Sequence, residues 1–408
     1  MIVAKFGGRS LATANHVKRV ASYLARRSKE TKICVVVSAM GSQTDELQKL
    51  ANSVCSSPKG RELDMLLTAG ERVTMSLLAM ALGERGAKSL SFTGSQVGIH
   101  TDERHNDARI LYVRGQRLKE ALDKGYIPIV AGFQGVSSES KEVTTLGRGG
   151  SDTTAVALAR FLNADSCEFY KTVKGLSSAD PRLFPKAKVL DTISYEELVE
   201  LADYGARVIH PRAASLAMRY RIPLEVRSST RPYKKGTSIG QQEELEERFV
   251  RAFTHMKGLV RITVKDVPQD PNAMSQAIAR LADAGIRILF YHHGHPQDSS
   301  FDLAFIVSET DSPGARTLLE KFKKETGAQA LSVVKGISEL SLVGPGAGKD
   351  SAITKRAFEA LRADNVHIEA FTNSELKLSF FLRAPNLKRA ISRLLEEFNL
   401  LETQNMRG

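Results

Sequence analysis

Two glycine-rich turns hold the residues of this chain best suited to chemistry. Lys5-Phe6-Gly7-Gly8 follows an apolar run at 2–4, and Thr145-Leu146-Gly147-Arg148-Gly149-Gly150-Ser151-Asp152 follows one at 127–133. Each run reads as a buried strand, and each turn precedes a stretch of helical periodicity. Glycine turns at helix N-termini present free backbone N–H groups and the positive end of the helix dipole, which suits anionic oxygens. Lys5 can donate to phosphoryl oxygens and offset charge that builds in a transition state. Gly7 and Gly8 keep a Cβ from standing between backbone and phosphates. Arg148 carries a planar fork that can grip both oxygens of a carboxylate. Asp152 opens the second helix, where an acid is also a good cap. This is equipment for holding phosphates and a carboxylated substrate while a phosphoryl group moves.

The elements that must position these groups fall into two halves. Up to about residue 239, short apolar runs (33–37, 89–92, 127–132, 224–226) alternate with helical stretches such as 69–82 and 151–162. That alternation predicts a mostly parallel sheet sandwiched by helices, an α/β fold. Lys234-Lys235-Gly236-Thr237 is turn-like and 241–248 is a polar, acidic run, so a boundary belongs within 235–250. Beyond it lies an internal repeat. Residues 260–264 correspond to 339–343, 277–290 to 357–371, and 301–306 to 376–382, with closing helices at 312–323 and 386–398. Two units reading βαββαβ are ferredoxin-like modules. The expected division is a catalytic domain at 1–240 and modules at 250–335 and 336–404.

An ordered series of motifs runs along nearly the whole chain. Lys5-Phe6-Gly7-Gly8 is followed by Val35-Val36-Val37-Ser38-Ala39-Met40-Gly41 with Thr44-Asp45-Glu46-Leu47, then by Leu67-Thr68-Ala69-Gly70-Glu71. Gly132-Phe133-Gln134-Gly135, Gly147-Arg148-Gly149-Gly150-Ser151-Asp152, Tyr204-Gly205-Ala206, His210-Pro211-Arg212 and Val226-Arg227-Ser228-Ser229 come after. The series resembles the amino-acid-kinase family and, within it, the aspartate kinases; the modules resemble paired ACT domains. The resemblance implies transfer of a phosphoryl group from ATP, with Mg2+, to the side-chain carboxylate of L-aspartate. Lys5 and Asp152 would be catalytic, with Asp152 orienting the lysine. Ser38, Thr44, Glu71, Arg148 and Ser151 would bind aspartate, Glu71 through its ammonium. Lys5, Gly7, Gly8, Lys171, Thr172 and Arg182 would bind the nucleotide, with no protein metal site. A lysine or threonine effector at the modules and a homodimer or higher homo-oligomer are further expectations of the family. A carboxylate acceptor is already nucleophilic at neutral pH, so positioning and charge stabilisation would carry catalysis.

Composition is that of a globular enzyme: 408 residues and 42% apolar, with no run of the ~20 apolar residues that a membrane span needs. Strand-like sequence from Ile2 leaves no room for a leader peptide, and three cysteines without metal spacing suggest a reducing, cytoplasmic setting. The net charge of +12 is spread among acids. It reads as a solvated basic surface that attracts anionic ligands, with no nucleic-acid motif. His210 is expected to cap or pack, and His292, His293 and His295 to sit in a solvent loop.

Departures from the family pattern concentrate in one segment. Tyr170-Lys171-Thr172-Val173-Lys174-Gly175 puts Thr172 where relatives carry an acid, and Lys174 where another is frequent. Ser177 replaces a tyrosine, while Ala179-Asp180-Pro181-Arg182 is kept. Arg9 replaces a threonine beside the first turn, and Gln269-Asp270-Pro271-Asn272 lacks the glycine usual in the first module. Two readings follow: an active aspartate kinase, or a diverged relative that uses another carboxylate substrate or serves as a weakly active regulatory protein.

Overall fold

The aliphatic runs become the inner strands of one sheet. Ile2–Phe6, Ile33–Val37 and Ile127–Ala131 are buried at every position, as strands of a parallel sheet covered on both faces must be. In this computed structural model the sheet has eight strands, ordered Thr192–Ser194, Thr237–Gly240, Leu224–Ser228, Ser166–Lys171, Ile2–Phe6, Ile33–Val37, Ile127–Ala131 and Ser89–Phe92. Only Leu224–Ser228 and Thr237–Gly240 pair antiparallel. The structure describes residues 1–205, 208–241, 249–270, 272–294 and 300–402. Ala206, the acidic run at 242–248, Pro271, His295 and residues 403–404 of the expected second module lie outside them.

Side-chain alternation decides where Lys5 points. Ala4 and Phe6 join a core with Val17, Leu24, Leu78 and Leu82 from helices Ala14–Arg27 and Ala69–Gly83. Lys5, between them, must therefore face the other side of the sheet. Helix Gly150–Leu162 lies there and brings Asp152 to it. A smaller sheet of Ile110–Val113, Ile99–Thr101, Gln134–Ser137 and Val143–Thr145 was not legible in the sequence. Its last strand delivers the chain to Gly147 and Arg148.

The chain divides into two compact units, Met1–Ser178 with Lys188–Glu246, and Ala179–Ala187 with Glu247–Gly408. The second contains one six-stranded sheet, ordered Phe290–His293, Ser300–Ser308, Ala252–Pro268, Ala330–Val343, Lys377–Arg383 and Ile368–Asn373. Its repeats are not two consecutive units. Residues 259–268 of the long strand pair with Ser300–Ser308, whereas 252–256 pair with 339–343, which also pair with Lys377–Arg383. The second module thus takes a strand from residues ahead of the first. An irregularity between Met256 and Leu259, with Gly258 at φ +72°, marks the change of partner. Ala179, Phe184 and Ala187 belong to the core of the second module. His292 and His293 lie on an exposed edge strand, not in the expected loop.

Against the expectation that no run is long and apolar enough for a membrane span, residues 61–83 meet that test by length and composition. Half of that span is buried in the protein, and it carries the buried carboxylates Asp64 and Glu71, both hydrogen-bonded within the fold. It is a core element of the first unit.

Candidate active site

The phosphoryl side is built on one buried carboxylate. Asp152 is 5% exposed and Lys5 4%. Lys5 Nζ donates to Asp152 Oδ1 at 2.5 Å, Lys171 Nζ approaches both carboxylate oxygens at 3.3 and 3.4 Å, and the His210 N–H donates to Oδ2 at 3.2 Å. Burial alone would raise the Asp152 pKa, but Lys171 and Lys5 outweigh it and hold the group well below the usual carboxylate range. Lys171 is driven down to about 8 by burial and by Lys5, against the pull of Asp152. Asp152 is therefore ionised at neutral pH, and it keeps two ammonium groups together at the C-terminal ends of strands Ser166–Lys171 and Ile2–Phe6.

The glycines have mixed roles. A Cβ on Gly7 would sit 3.8 Å from Lys5 Nζ, so the turn lies directly over the ammonium. Gly8 is required by packing, because a Cβ there would come within 2.6 Å of the Ala39 carbonyl oxygen. The first turn does not open a long helix, as the sequence suggested. It enters a 3-10 turn at Gly8–Leu11, and the helix beyond begins at its own cap, Thr13. The second turn does open a helix, with Gly149 as N-cap at φ +70°. A Cβ on Gly149 would overlap the His210 ring, 2.0 Å from Cγ. Asp152 does not cap this helix; its oxygens are taken up by the two lysines and His210.

The amino-acid side gathers around Ser38 and Glu71. Ser38 Oγ lies 2.8 Å from Ser151 Oγ, an approach that Gly132 permits, since a Cβ there would meet the Ser151 Cβ at 2.6 Å. Glu71, 3% exposed, accepts the Ala39 N–H on Oε1 at 3.1 Å, and its Oε2 is buried without a hydrogen-bond partner. Burial pushes its pKa up to about 7, with the Ala39 N–H and the Lys5 charge opposing. Arg148 is exposed and makes no ion pair among the described residues. Thr44 is half-buried on helix Gln43–Val54, with no hydrogen bond to the others.

Arg182 is not part of the first unit. It pairs with Asp180 at 2.7 Å, and both belong to the second unit. Thr172, Lys174 and Arg9 are exposed. Among the described residues no group of three metal-ligating side chains occurs. Sequence reasoning missed that Lys171 shares Asp152 with Lys5, and that the His210 backbone, not its ring, serves the carboxylate. It also missed Tyr170, whose carbonyl accepts the Ser10 hydroxyl at 3.1 Å and whose ring stacks on Phe6. A single sequence carries no signal for such contacts.

This arrangement can be set beside known proteins. The profile of the amino acid kinase family matches residues 1–228. The chain is 40% identical over 406 residues to the aspartokinase of Mycolicibacterium smegmatis, covering 98% of this chain and 96% of that one. It is 38% identical over 402 residues to aspartokinase 2 of Bacillus subtilis strain 168, covering 98% of each. The crystal structure of E. coli aspartokinase III with aspartate and ADP superposes with a TM-score of 0.81 at 22% identity, over 98% of this chain and 100% of that one, which shows the shared fold. The E. coli aspartokinase III structure with lysine and aspartate gives 0.77 at 23% over 98% and 99%. The chain therefore belongs to the amino acid kinase family and, within it, to the aspartokinases.

Proposed function

We propose that the chain transfers the terminal phosphoryl group of ATP to the side-chain carboxylate of L-aspartate, making 4-phospho-L-aspartate. The carrying observation is the buried Asp152 held between Lys5 and Lys171, beside a hydroxyl pair and a buried Glu71 with one oxygen unpartnered. Two ammonium groups at one point suit the oxygens of a phosphoryl group in transit. Glu71 offers a charge for the substrate ammonium, Ser38 and Ser151 offer hydroxyls, Thr44 a further one, and Arg148 grips the α-carboxylate. The acceptor carboxylate is ionised at neutral pH, so no general base is needed. Gly7 and Gly8 line the phosphate side, while Thr172 is proposed as a nucleotide neighbour by its place after Lys171. Arg182 is proposed as a further nucleotide contact, since its pair with Asp180 is at an exposed side chain and leaves the guanidinium accessible. Mg2+ fits as part of the nucleotide substrate, held by phosphate oxygens and water rather than by a protein cage, and it would neutralise charge on those oxygens.

The segment Lys171-Thr172-Val173-Lys174, which carries no carboxylate, favours a second reading: a kinase for a neighbouring carboxylate substrate. An ATP-coupled hydroxamate assay over aspartate, glutamate and related acids tests both. Aspartate should give the highest kcat/KM; preference for another acid selects the second reading, and no turnover with any acid defeats both.

Residues 1–240, apart from 179–187 that pack in the second module's core, form the proposed catalytic domain, and 250–335 with 336–404 the proposed regulatory modules, with the strand 252–256 lent by the first to the second. Likeness to paired ACT domains supports an amino-acid effector, lysine or threonine, at these modules; an open, largely apolar depression in the second, lined by Phe358, Val366 and Ile368 with Glu359, Arg362 and His367, is a candidate place for it. Exposed Tyr291 and Phe371 on the two edge strands support self-association as a homodimer or larger assembly. The free thiols Cys34, Cys55 and Cys167 suit a cytoplasmic setting.

A further inference from the structure

The turn that carries Arg148 is held from below by a carboxylate that no step of the reaction uses. Asp64, on helix Arg61–Leu67, is 0% exposed. It accepts hydrogen bonds from the Asn106 N–H at 3.1 Å, Asn106 Nδ2 at 2.7 Å and the Thr145 hydroxyl at 2.5 Å, and lies 2.6 Å from His105 Nδ1. Asn106 sits in the left-handed region at φ +67°, and its Oδ1 accepts the Gly60 N–H at 2.8 Å. Thr145 ends the strand Val143–Thr145, three residues before Arg148.

The loop held by Asp64 abuts the Arg148 turn. A Cβ on Gly147, at φ +71°, would lie 2.9 Å from Asp107 Oδ1 and 3.1 Å from the Asn106 carbonyl oxygen. Arg212 secures the same turn by donating to the Leu146 carbonyl at 2.6 Å, the Ala108 carbonyl at 2.8 Å and Asp107 Oδ1 at 3.0 Å. A buried carboxylate bonded to two separate segments ties them together, because any slip would strand polar groups away from water.

We infer that Asp64 is a positioning residue for amino-acid recognition: it locks the 105–107 loop to the end of strand Val143–Thr145 and so sets the place from which Arg148 reaches the substrate carboxylate. The inference rests on the reading of Arg148 as the clamp. Asp64 touches no substrate, and its effect passes through the backbone of 145–148. The Lys5–Asp152–Lys171 cluster makes no hydrogen bond to it among the described residues.

The test is steady-state kinetics on the full chain. Asp64→Asn should raise the KM for aspartate by about tenfold, on the scale of a slightly misplaced binding group. The KM for ATP and kcat should stay within about twofold. Thr145→Val, which removes one donor and keeps the shape, should shift the same constant less; it carries the test if Asp64→Asn does not fold. In an Arg148→Ala background the Asp64→Asn change should add nothing further to the KM for aspartate. Equal rises in both KM values, or additive effects in the double variant, overturn the role of Asp64 while leaving the clamp standing. An unchanged aspartate KM in Arg148→Ala alone overturns the clamp, and this inference with it.

Discussion

The two sides of the site are built on opposite principles. On the phosphoryl side the buried charges are already in contact: Asp152 holds Lys5 and Lys171 at once, and the two cations keep it ionised against the cost of burial, with one positive charge left over for phosphate oxygens. On the amino-acid side the charges stand ready but unpaired. Glu71 Oε2 is buried without a partner, and Arg148 is exposed without an ion pair among the described residues. The first side has its electrostatic work done by the fold, before substrate arrives, as transition-state stabilisation requires. The second is completed by the ligand, whose ammonium and carboxylate supply the missing partners. Changes on the first side should therefore appear in kcat, and changes on the second in the KM for aspartate.

The sharpest way to break that contrast is Lys5→Ala or Asp152→Asn. Each should lower kcat by about 10²–10³-fold, the range for removing a preorganised charge-stabilising group. Lys5→Ala leaves Asp152 paired with Lys171, so circular dichroism should be unchanged. Near-normal turnover in either variant would sink the assignment. Next is Arg148→Lys, which keeps charge but loses the two-pronged geometry. The KM for aspartate should rise by roughly tenfold while that for ATP moves little, as expected for a lost bidentate contact of ~1.4 kcal/mol. Equal rises in both constants would count against it.

Glu71 tests the unpaired side by pH. Its pKa is pushed up to about 7 by burial, so below that pH it is neutral and cannot attract an ammonium. The kcat/KM for aspartate should fall towards a limiting tenfold per unit as pH drops through about 7, and Glu71→Gln should flatten the profile. The stability effect has the opposite sign. A carboxyl whose folded pKa is raised binds a proton that the unfolded chain releases near pH 4.5, so stability is lost as pH rises from there to about 7. Glu71→Gln should then raise Tm at pH 8, by roughly 2–4 °C for each kcal/mol recovered. A lower Tm at that pH would contradict the cost of burying the charge.

Lys171 tests the paired side. Burial, with Asp152 opposing and Lys5 assisting, places its pKa at about 8, so rising pH discharges it. The kcat/KM for ATP should decline above about pH 8, and Lys171→Arg, which stays charged, should remove the decline. A pH profile shared by wild type and Lys171→Arg would mean that another group titrates. The smallest effect is expected from Thr172→Asp. Thr172 is exposed beside Lys171 and Lys174, and a new acid there competes for their charge. The KM for ATP should rise by about two- to threefold, the scale of a surface charge pair. A several-fold fall, with kcat preserved, would show instead that the segment had merely lost a useful acid.

The strands and helices were legible because their signals are local. Uniform apolar runs announced Ile33–Val37 and Ile127–Ala131, and glycine turns announced helix Gly150–Leu162. The motif series pointed to Lys5, Asp152, Ser38, Ser151 and Glu71, and the fold gathers them into the paired and unpaired sides. Arg182 pairs with Asp180 two residues back, a contact invisible in a motif. The repeat was visible, but the exchange of a strand between modules was not. Pairing depends on a register irregularity near Gly258, not on periodicity.

By itself the sequence determined which residues could do chemistry, the layered α/β class and the repeated modules, since composition and spacing act over a few residues. Only the tertiary structure decided the electrical state of those residues. Asp152 and Glu71 are both buried carboxylates, yet one is driven down by two lysines from neighbouring strands and the other is driven up by burial that the Ala39 N–H and the Lys5 charge only partly oppose. Burial and charge separation are properties of three-dimensional neighbourhood, and the lysines that set Asp152 apart lie 147 and 19 residues away along the chain.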